Sequence, residues 1–142
     1  MEKRENSNEN GIEDVLFPDV IQTPDFFRNK YPPRNLSSES KVTRVAPSPT
    51  GSMHIGGLYM ALISKMIAYQ SQGVYFLRIE DTDKKREVEG AFKFILQSLK
   101  KYNLQPDEGP TEENGDKGGY GPYIQSERIE IYKSFVKELI RQ

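Results

Sequence analysis

Val42-Thr43-Arg44-Val45-Ala46-Pro47-Ser48-Pro49-Thr50-Gly51-Ser52-Met53-His54-Ile55-Gly56-Gly57-Leu58 is the stretch whose reading decides the fold. From Lys41 the composition is that of a strand, with Val42, Thr43 and Val45 β-branched. Pro47 and Pro49 stop the strand and stiffen the loop that follows, because each ring fixes φ. From Leu58 to Gln72, Leu58, Leu62, Ile63, Met66, Ile67 and Tyr69 recur at helical spacing, and Gly73 stands where the C′ residue of a helix belongs. Val74 to Ile79 is nearly continuously apolar, which predicts a second strand covered on both faces, as in a parallel sheet. Asp81 or Asp83 then caps a second helix with the stripe Val88, Ala91, Phe92, Ile95, Leu96, Leu99 and Tyr102, ending at Asn103. The order strand–helix–strand–helix means an α/β fold: a Rossmann-like parallel sheet with flanking helices and a right-handed crossover.

Working outward, residues 1–11 are polar and aperiodic and read as a disordered tail. Residues 12–40 carry scattered apolar side chains broken by Pro18, Pro24, Pro32 and Pro33, and read as an irregular N-terminal arm packed on the body. Within it, Asp14 to Phe17 is a candidate helical turn, and Thr23-Pro24-Asp25 a helix start with Pro at its first position. Residues 104–122 are rich in Gly, Pro and acid and predict a long loop. A third helix runs from about Ser126, with the stripe Ile129, Tyr132, Phe135, Val136, Leu139 and Ile140, and with Glu127 and Glu130 in its first turn. Residues 41–142 thus read as one Rossmann-like domain.

The composition excludes several classes of function. Lys+Arg number 20 and Asp+Glu 21, a net charge of -1, so a globally basic nucleic-acid binder is out. With no cysteine, disulfides, thiolate metal sites and cysteine nucleophiles are absent. His54, the one histidine, supplies no multi-histidine metal site. No apolar run approaches the roughly 20 residues of a membrane span, and MEKRENSNENG has no apolar h-region behind it. A soluble, cytoplasmic protein is expected.

Chemistry is expected where the strands end. In an open parallel sheet, ligands bind at the carboxyl ends of the strands. The helix that follows offers free N–H groups and a partial positive charge, which suits phosphate. Gly56 and Gly57 let a ligand lie flat on the backbone, and His54 at the same helix start can donate to a phosphate oxygen. The same residues also read as a tight strand-to-helix turn with His54 as its cap, and the spacing matches neither a Walker loop nor GxGxxG. Arg44 on the first strand and Glu80 at the end of the second come to one rim of the sheet. There they either pair with each other or grip a zwitterion, Glu80 its ammonium and Arg44 its carboxylate. Asp81 and Asp83 read as caps and surface charge, with a magnesium site as the bolder alternative. Lys84-Lys85-Arg86 reads as a solvated face. Tyr120, Tyr123 and Gln125 either turn polar ends to the cleft or cover the edge of the core.

Thr43 to Gly51, His54-Ile55-Gly56-Gly57, Arg78-Ile79-Glu80-Asp81-Thr82-Asp83, Asp107-Glu108-Gly109-Pro110 and Gln125-Ser126-Glu127-Arg128 occur in this order. Together they resemble the bacterial glutamyl-tRNA synthetases, a branch of the class I aminoacyl-tRNA synthetases. Leu16-Phe17-Pro18 and Tyr31-Pro32-Pro33-Arg34-Asn35-Leu36 resemble an extension of some clostridial members, so the likeness covers about residues 12–142. The family's ATP signature is usually written HIGH; here it is HIGG, a departure usual in the bacterial glutamyl branch. The resemblance implies the first half of a class I catalytic domain and a reaction that joins L-glutamate to tRNA(Glu) through glutamyl-adenylate. It assigns ATP to Pro49, Thr50, Gly51, His54, Gly56 and Gly57, with His54 catalytic. It assigns glutamate to Arg44, Ala46, Ser48 and Glu80. Mg2+ is expected to come with ATP, no residue being assigned to a metal, and the full-length enzyme is expected to be monomeric, without a membrane. The family's second ATP signature, KMSKS, lies beyond Gln142, so the chain is expected to be an N-terminal fragment, inactive alone. Two other readings stand beside this one: a glutamyl transferase acting on a modified tRNA base, and a non-catalytic module that binds a nucleotide or tRNA.

Overall fold

The computed structural model of the chain describes residues 11–113 and 115–142. The expected disordered tail, residues 1–11, lies outside the described residues except for Gly11. By internal contacts the chain forms two compact units, one holding residues 33–128 and the other residues 11–32 with 129–142.

The larger unit is built on two parallel strands, β1 (Val42–Val45) and β2 (Val74–Leu77), with Arg44 opposite Phe76 and Val45 opposite Leu77. Helix α3 (Ile55–Gln70) connects them, and helix α4 (Ala91–Lys101) follows. The ladder outlasts the strands: Arg78 N–H donates to the Val45 carbonyl at 3.1 Å and Glu80 N–H to the Pro47 carbonyl at 3.0 Å. On the far side of β2, isolated parallel bridges join Phe76 to Glu108 and Ile79 to Ile124.

Side chains alternate between the faces of a strand. Val45, Tyr75, Leu77 and Ile79 fall on one face and are buried with Ala61 and Ala68 of α3, Ile95 and Leu99 of α4, and Leu104. Each of the larger aliphatic side chains in that set contributes about 1.5–3 kcal/mol by leaving water. Arg44, Phe76, Arg78 and Glu80 fall on the other face. The expectation that β2 is covered on both faces is therefore corrected: its burial alternates, with Tyr75 and Leu77 buried and Val74 and Phe76 only half-buried. The apolar run reflects a half-covered Phe76, whose ring lies 6.2 Å from that of Tyr123.

Other boundaries also shift. Helix α3 begins at Ile55, three residues before the apolar periodicity, because His54 caps it. Neither Asp81 nor Asp83 caps α4. That helix starts ten residues after Asp81, behind Gly90 at φ 77, and turns at 84–85 and 89–90 precede it. The long loop is not wholly irregular, since β3 (Gly109–Pro110) pairs antiparallel with β4 (Asp116–Lys117). Asn103 does end α4. At φ 56 it lets Leu104 N–H reach the Leu99 carbonyl at 2.7 Å, which satisfies an orphan carbonyl of the last turn.

In the smaller unit, helix α1 (Ile12–Leu16) and helix α2 (Pro24–Lys30) pack against helix α5 (Ile129–Arg141), which continues from the 3-10 turn Gln125–Arg128. Thr23 caps α2 as expected, its Oγ1 accepting from Phe26 N–H at 3.3 Å, with Pro24 at the first position. The contacts of α5 differ from its apolar stripe. Its buried residue is Ser134, while Ile129, Tyr132, Val136 and Leu139 are exposed. Helix α1 meets the polar side through ion pairs, Lys137 Nζ with Asp14 at 2.8 Å and Arg141 Nε with Glu13 at 3.0 Å, while α2 sets Arg28 5.4 Å over the Phe135 ring.

Gly73 is needed for a different reason from the one expected. The C′ position of α3 is Gln72, at φ 52, and Gly73 N–H donates to the Ala68 carbonyl at 2.8 Å. A Cβ on Gly73 would stand 1.8 Å from the Lys41 carbonyl oxygen at the start of β1. Gly73→Ala is therefore expected to force β1 and the α3–β2 turn apart and to cost about 1–3 kcal/mol. A urea unfolding midpoint equal to wild type would show that the two segments do not approach this closely.

Candidate functional site

Beyond the carboxyl end of β1 a cleft of about 740 Å³ opens between the Pro47–Met53 loop and the start of α3. Among the residues assigned from sequence, Arg44, Ala46, Ser48, Thr50, Gly51, His54 and Gly57 line it. Met53, Met60 and Ile95 add an apolar wall that sequence reading did not single out. Pro49 is buried behind the loop, and its carbonyl accepts from Val88 N–H at 2.9 Å. Gly56 faces the other way, onto an apolar recess of about 470 Å³ with Leu58, Tyr59, Leu62 and Tyr102.

Glu80 stands beside the cleft. Its Oε1 lies 3.5 Å from Arg44 Nη1 and 2.9 Å from Arg78 Nη2. The expected meeting of Arg44 with Glu80 is present, and a second guanidinium joins it. Period-2 counting from Glu80 would have found Arg78, since residues i and i−2 share a face of a strand.

His54 caps α3, its Nδ1 accepting from Gly56 N–H at 3.1 Å. With Nδ1 as acceptor the ring proton sits on Nε2, which is thereby a donor. A Cβ on Gly56 would lie 3.0 Å from His54 Cε1 and Nδ1, so the missing side chain gives the imidazole room to cap. The capping role and a donor role for His54 thus use different nitrogens. The first turn of α3 also has free N–H groups and the positive end of the helix dipole, a setting suited to phosphate.

The two aspartates are committed elsewhere. Asp81, 5% exposed, accepts from Ser126 N–H at 2.8 Å, from Ser126 Oγ at 2.5 Å and from Lys84 Nζ at 2.7 Å. Asp83 pairs with Arg86 Nε at 2.6 Å. Among the described residues no group of three or more His, Cys, Asp or Glu side chains could hold a metal ion. Tyr123 does not line the cleft, and its ring lies 6.2 Å from that of Phe76 on the sheet face opposite the core. It is 2% exposed and its hydroxyl donates to Glu108 at 2.6 Å. Arg34 grips Glu108 with both Nη groups and lies 3.8 Å over the ring of Tyr120. That fork holds the Glu108 carboxyl below the usual carboxylate range against the opposing push of burial, and the Tyr123 hydroxyl adds to it. Burial, and then the bond to Glu108, push the Tyr123 phenol up to about 12. Among the described residues no helix is long and apolar enough to cross a membrane.

Residues 41–142 match the family described as tRNA synthetases class I (E and Q), catalytic domain. A glutamate–tRNA ligase of Clostridium perfringens (strain 13 / Type A) is 48% identical over 131 residues, which are 92% of this chain and 24% of that protein. A glutamate–tRNA ligase of Acetivibrio thermocellus is 50% identical over 130 residues, 91% of this chain and 24% of that protein. The chain therefore spans about a quarter of the length of these relatives. The crystal structure of a glutamate-tRNA synthetase from Elizabethkingia anophelis superposes with a TM-score of 0.66 at 41% identity, over 72% of this chain and 20% of that one. A glutamate tRNA ligase from Elizabethkingia meningosepticum, solved in complex with its amino acid, also gives 0.66, at 39% identity, over 74% of this chain and 20% of that one.

Burial raises the pKa of Asp81, but the bonds from Lys84 and Ser126 outweigh it and leave the carboxyl below its ordinary value. A depressed carboxylate stabilises the fold fully above its unfolded pKa, about 3.9 for Asp, and loses that contribution as pH falls through the folded value. Asp81→Asn is expected to be less stable at pH 7 by about 1–3 kcal/mol and to lose less stability than wild type below about pH 4. Parallel stability–pH curves for the two proteins in thermal melts would show that the Asp81 charge is not engaged.

Proposed function

The chain belongs to the class I tRNA synthetases (E and Q) in the region of their catalytic domain, and on that premise we propose that it carries the amino-acid and ATP end of a glutamate–tRNA ligase. The observation that carries the reading is the cleft itself. Arg44 and Glu80 meet at 3.5 Å on one face of a parallel sheet, and Arg44 lines the same cleft as His54 at the start of α3. A cation and an anion at this spacing suit a zwitterion, and the helix start beside them suits a phosphate.

In the proposed reaction an oxygen of the L-glutamate α-carboxylate attacks the α-phosphorus of ATP and pyrophosphate leaves. A terminal ribose hydroxyl of tRNA(Glu) then attacks the acyl carbon and AMP leaves. Glu80 accepts from the substrate ammonium, Arg44 donates to a carboxylate, and Ala46 and Ser48 line the amino-acid end. Thr50, Gly51, Gly57 and the Nε2–H of His54 face the phosphates, while Pro49 and Gly56 shape the loop and the cap. Magnesium, when bound, arrives on the phosphates of ATP and offsets their charge. What these residues supply is placement and electrostatics: donors aimed where negative charge grows in the transition state. In this reading the protein works in the cytoplasm as a monomer. The names of the relatives favour ligation over glutamyl transfer to a modified base.

The test is L-glutamate-dependent ATP–pyrophosphate exchange by a polypeptide of the relatives' length that carries this segment. Arg44→Ala and Glu80→Ala are each expected to raise the KM for glutamate roughly ten- to a hundredfold, about 1.5–3 kcal/mol, with a smaller change for ATP. His54→Ala is expected to slow exchange by about 2.7–4 kcal/mol in barrier while ground-state ATP binding changes little. Unchanged glutamate kinetics in both charge variants would overturn the amino-acid assignment. Wild-type exchange in His54→Ala would reduce His54 to a helix cap.

A further inference from the structure

We infer that Arg78 is the positioning residue of the amino-acid grip: it fixes Glu80 through one carboxylate oxygen, so that the other oxygen stays available for an ammonium and Arg44 stays available for a carboxylate. The inference rests on the reading of the cleft as an amino-acid site.

Both guanidinium groups approach the same atom, Glu80 Oε1, but not equally. Arg78 Nη2 makes a hydrogen bond at 2.9 Å, whereas Arg44 Nη1 stands at 3.5 Å, within ion-pair range but beyond a good charge-assisted bond. Their surroundings differ in the same sense: the Arg78 side chain is 19% exposed and the Arg44 side chain 40%. A shorter bond in a drier setting is the stronger and the more persistent one. Among the described residues no hydrogen bond engages Glu80 Oε2.

The backbone holds Arg78 and Glu80 as firmly as it holds each strand. Their N–H groups donate to Val45 and Pro47, and between them Ile79 is tied on its other side, its N–H to the Tyr123 carbonyl and its carbonyl to Gln125 N–H. Arg78 and Glu80 therefore share a face on a clamped segment, and the geometry of their pair follows from the strand. Arg44 comes from the neighbouring strand and lines the cleft, and Glu80 and Arg78 both stand beside it. The two arginines divide the work: Arg78 is resident on Glu80, and Arg44 is free to turn to a ligand. Two guanidinium groups on one carboxylate leave this face with one net positive charge, which an amino acid bearing two carboxylates and one ammonium neutralises.

The experiment uses the isotopically labelled 142-residue chain, with three-bond couplings reporting the Glu80 χ1 and χ2 rotamers and a titration with L-glutamate. In wild type and Arg44→Ala, Glu80 is expected to keep one rotamer. In Arg78→Ala its couplings are expected to average, and L-glutamate binding to weaken roughly tenfold. Arg78→Lys is expected to restore part of the affinity, because an ammonium keeps the charge but not the planar fork. If Arg78→Ala does not fold, Arg78→Gln, which removes the charge and keeps a donor, takes its place. A single Glu80 rotamer in the Arg78 variant, or averaged couplings with affinity equal to wild type, overturns the inference. Failure of the underlying reading looks different: Glu80→Ala binds L-glutamate as wild type does, or wild type does not bind it at all. The couplings then decide the role of Arg78 on their own.

Discussion

The register of β1 against β2 is the constraint on which the rest depends. Arg44 lies opposite Phe76 and Val45 opposite Leu77, and the ladder runs on to Glu80 N–H at Pro47. Side chains alternate with period two, so a slip of one residue would send every side chain of a strand to the opposite face. Glu80 and Arg78 would then enter the core, and Leu77 and Ile79 would face water. Burial of Tyr75, Leu77 and Ile79 against Ala61, Ala68, Ile95 and Leu99 thus sets the position of the charges as well as the fold. Core and candidate site are two faces of one hydrogen-bonded ladder.

The helix between the strands completes the arrangement. Thr43 Oγ1 donates to the Ser64 carbonyl at 2.7 Å, pegging α3 to β1 midway along its length. At one end His54 caps the helix, and at the other Gly73 passes against the Lys41 carbonyl. The contacts at Thr43 and Gly73 hold α3 along β1, and its capped first turn, with its free N–H groups, lies at the carboxyl end of the strand. In the proposed reading a phosphate and a zwitterion take adjoining positions there.

Much of this was legible in the chain because it is local. The strands, the crossover helix, the cap at Thr23 and the end of α4 at Asn103 follow from periodicity and from residue types that act within a few positions. Arg44, Ser48 and His54 were legible as cleft residues because the ends of parallel strands are where ligands bind. What was hidden depends on partners far along the chain. Asp81 has the composition of a cap, but Ser126, 45 positions away, occupies both of its oxygens. Glu108 meets Arg34 at a separation of 74. The stripe of α5 marks an apolar face, yet α1 takes the polar side because Glu13 and Asp14 match Arg141 and Lys137. Arg78 is legible beside Glu80 only through strand parity, since residues two apart share a face of a strand.

The most direct measurement of the central claim, that one sheet face presents Arg44 and Glu80 as a grip for an amino acid, is a crystal structure of the chain with L-glutamate bound. The account predicts the ligand ammonium within hydrogen-bond reach of Glu80 Oε2, a ligand carboxylate on Arg44, and the Arg78–Glu80 bond unbroken. L-Glutamate seated elsewhere, with Glu80 closed on Arg44, would contradict it.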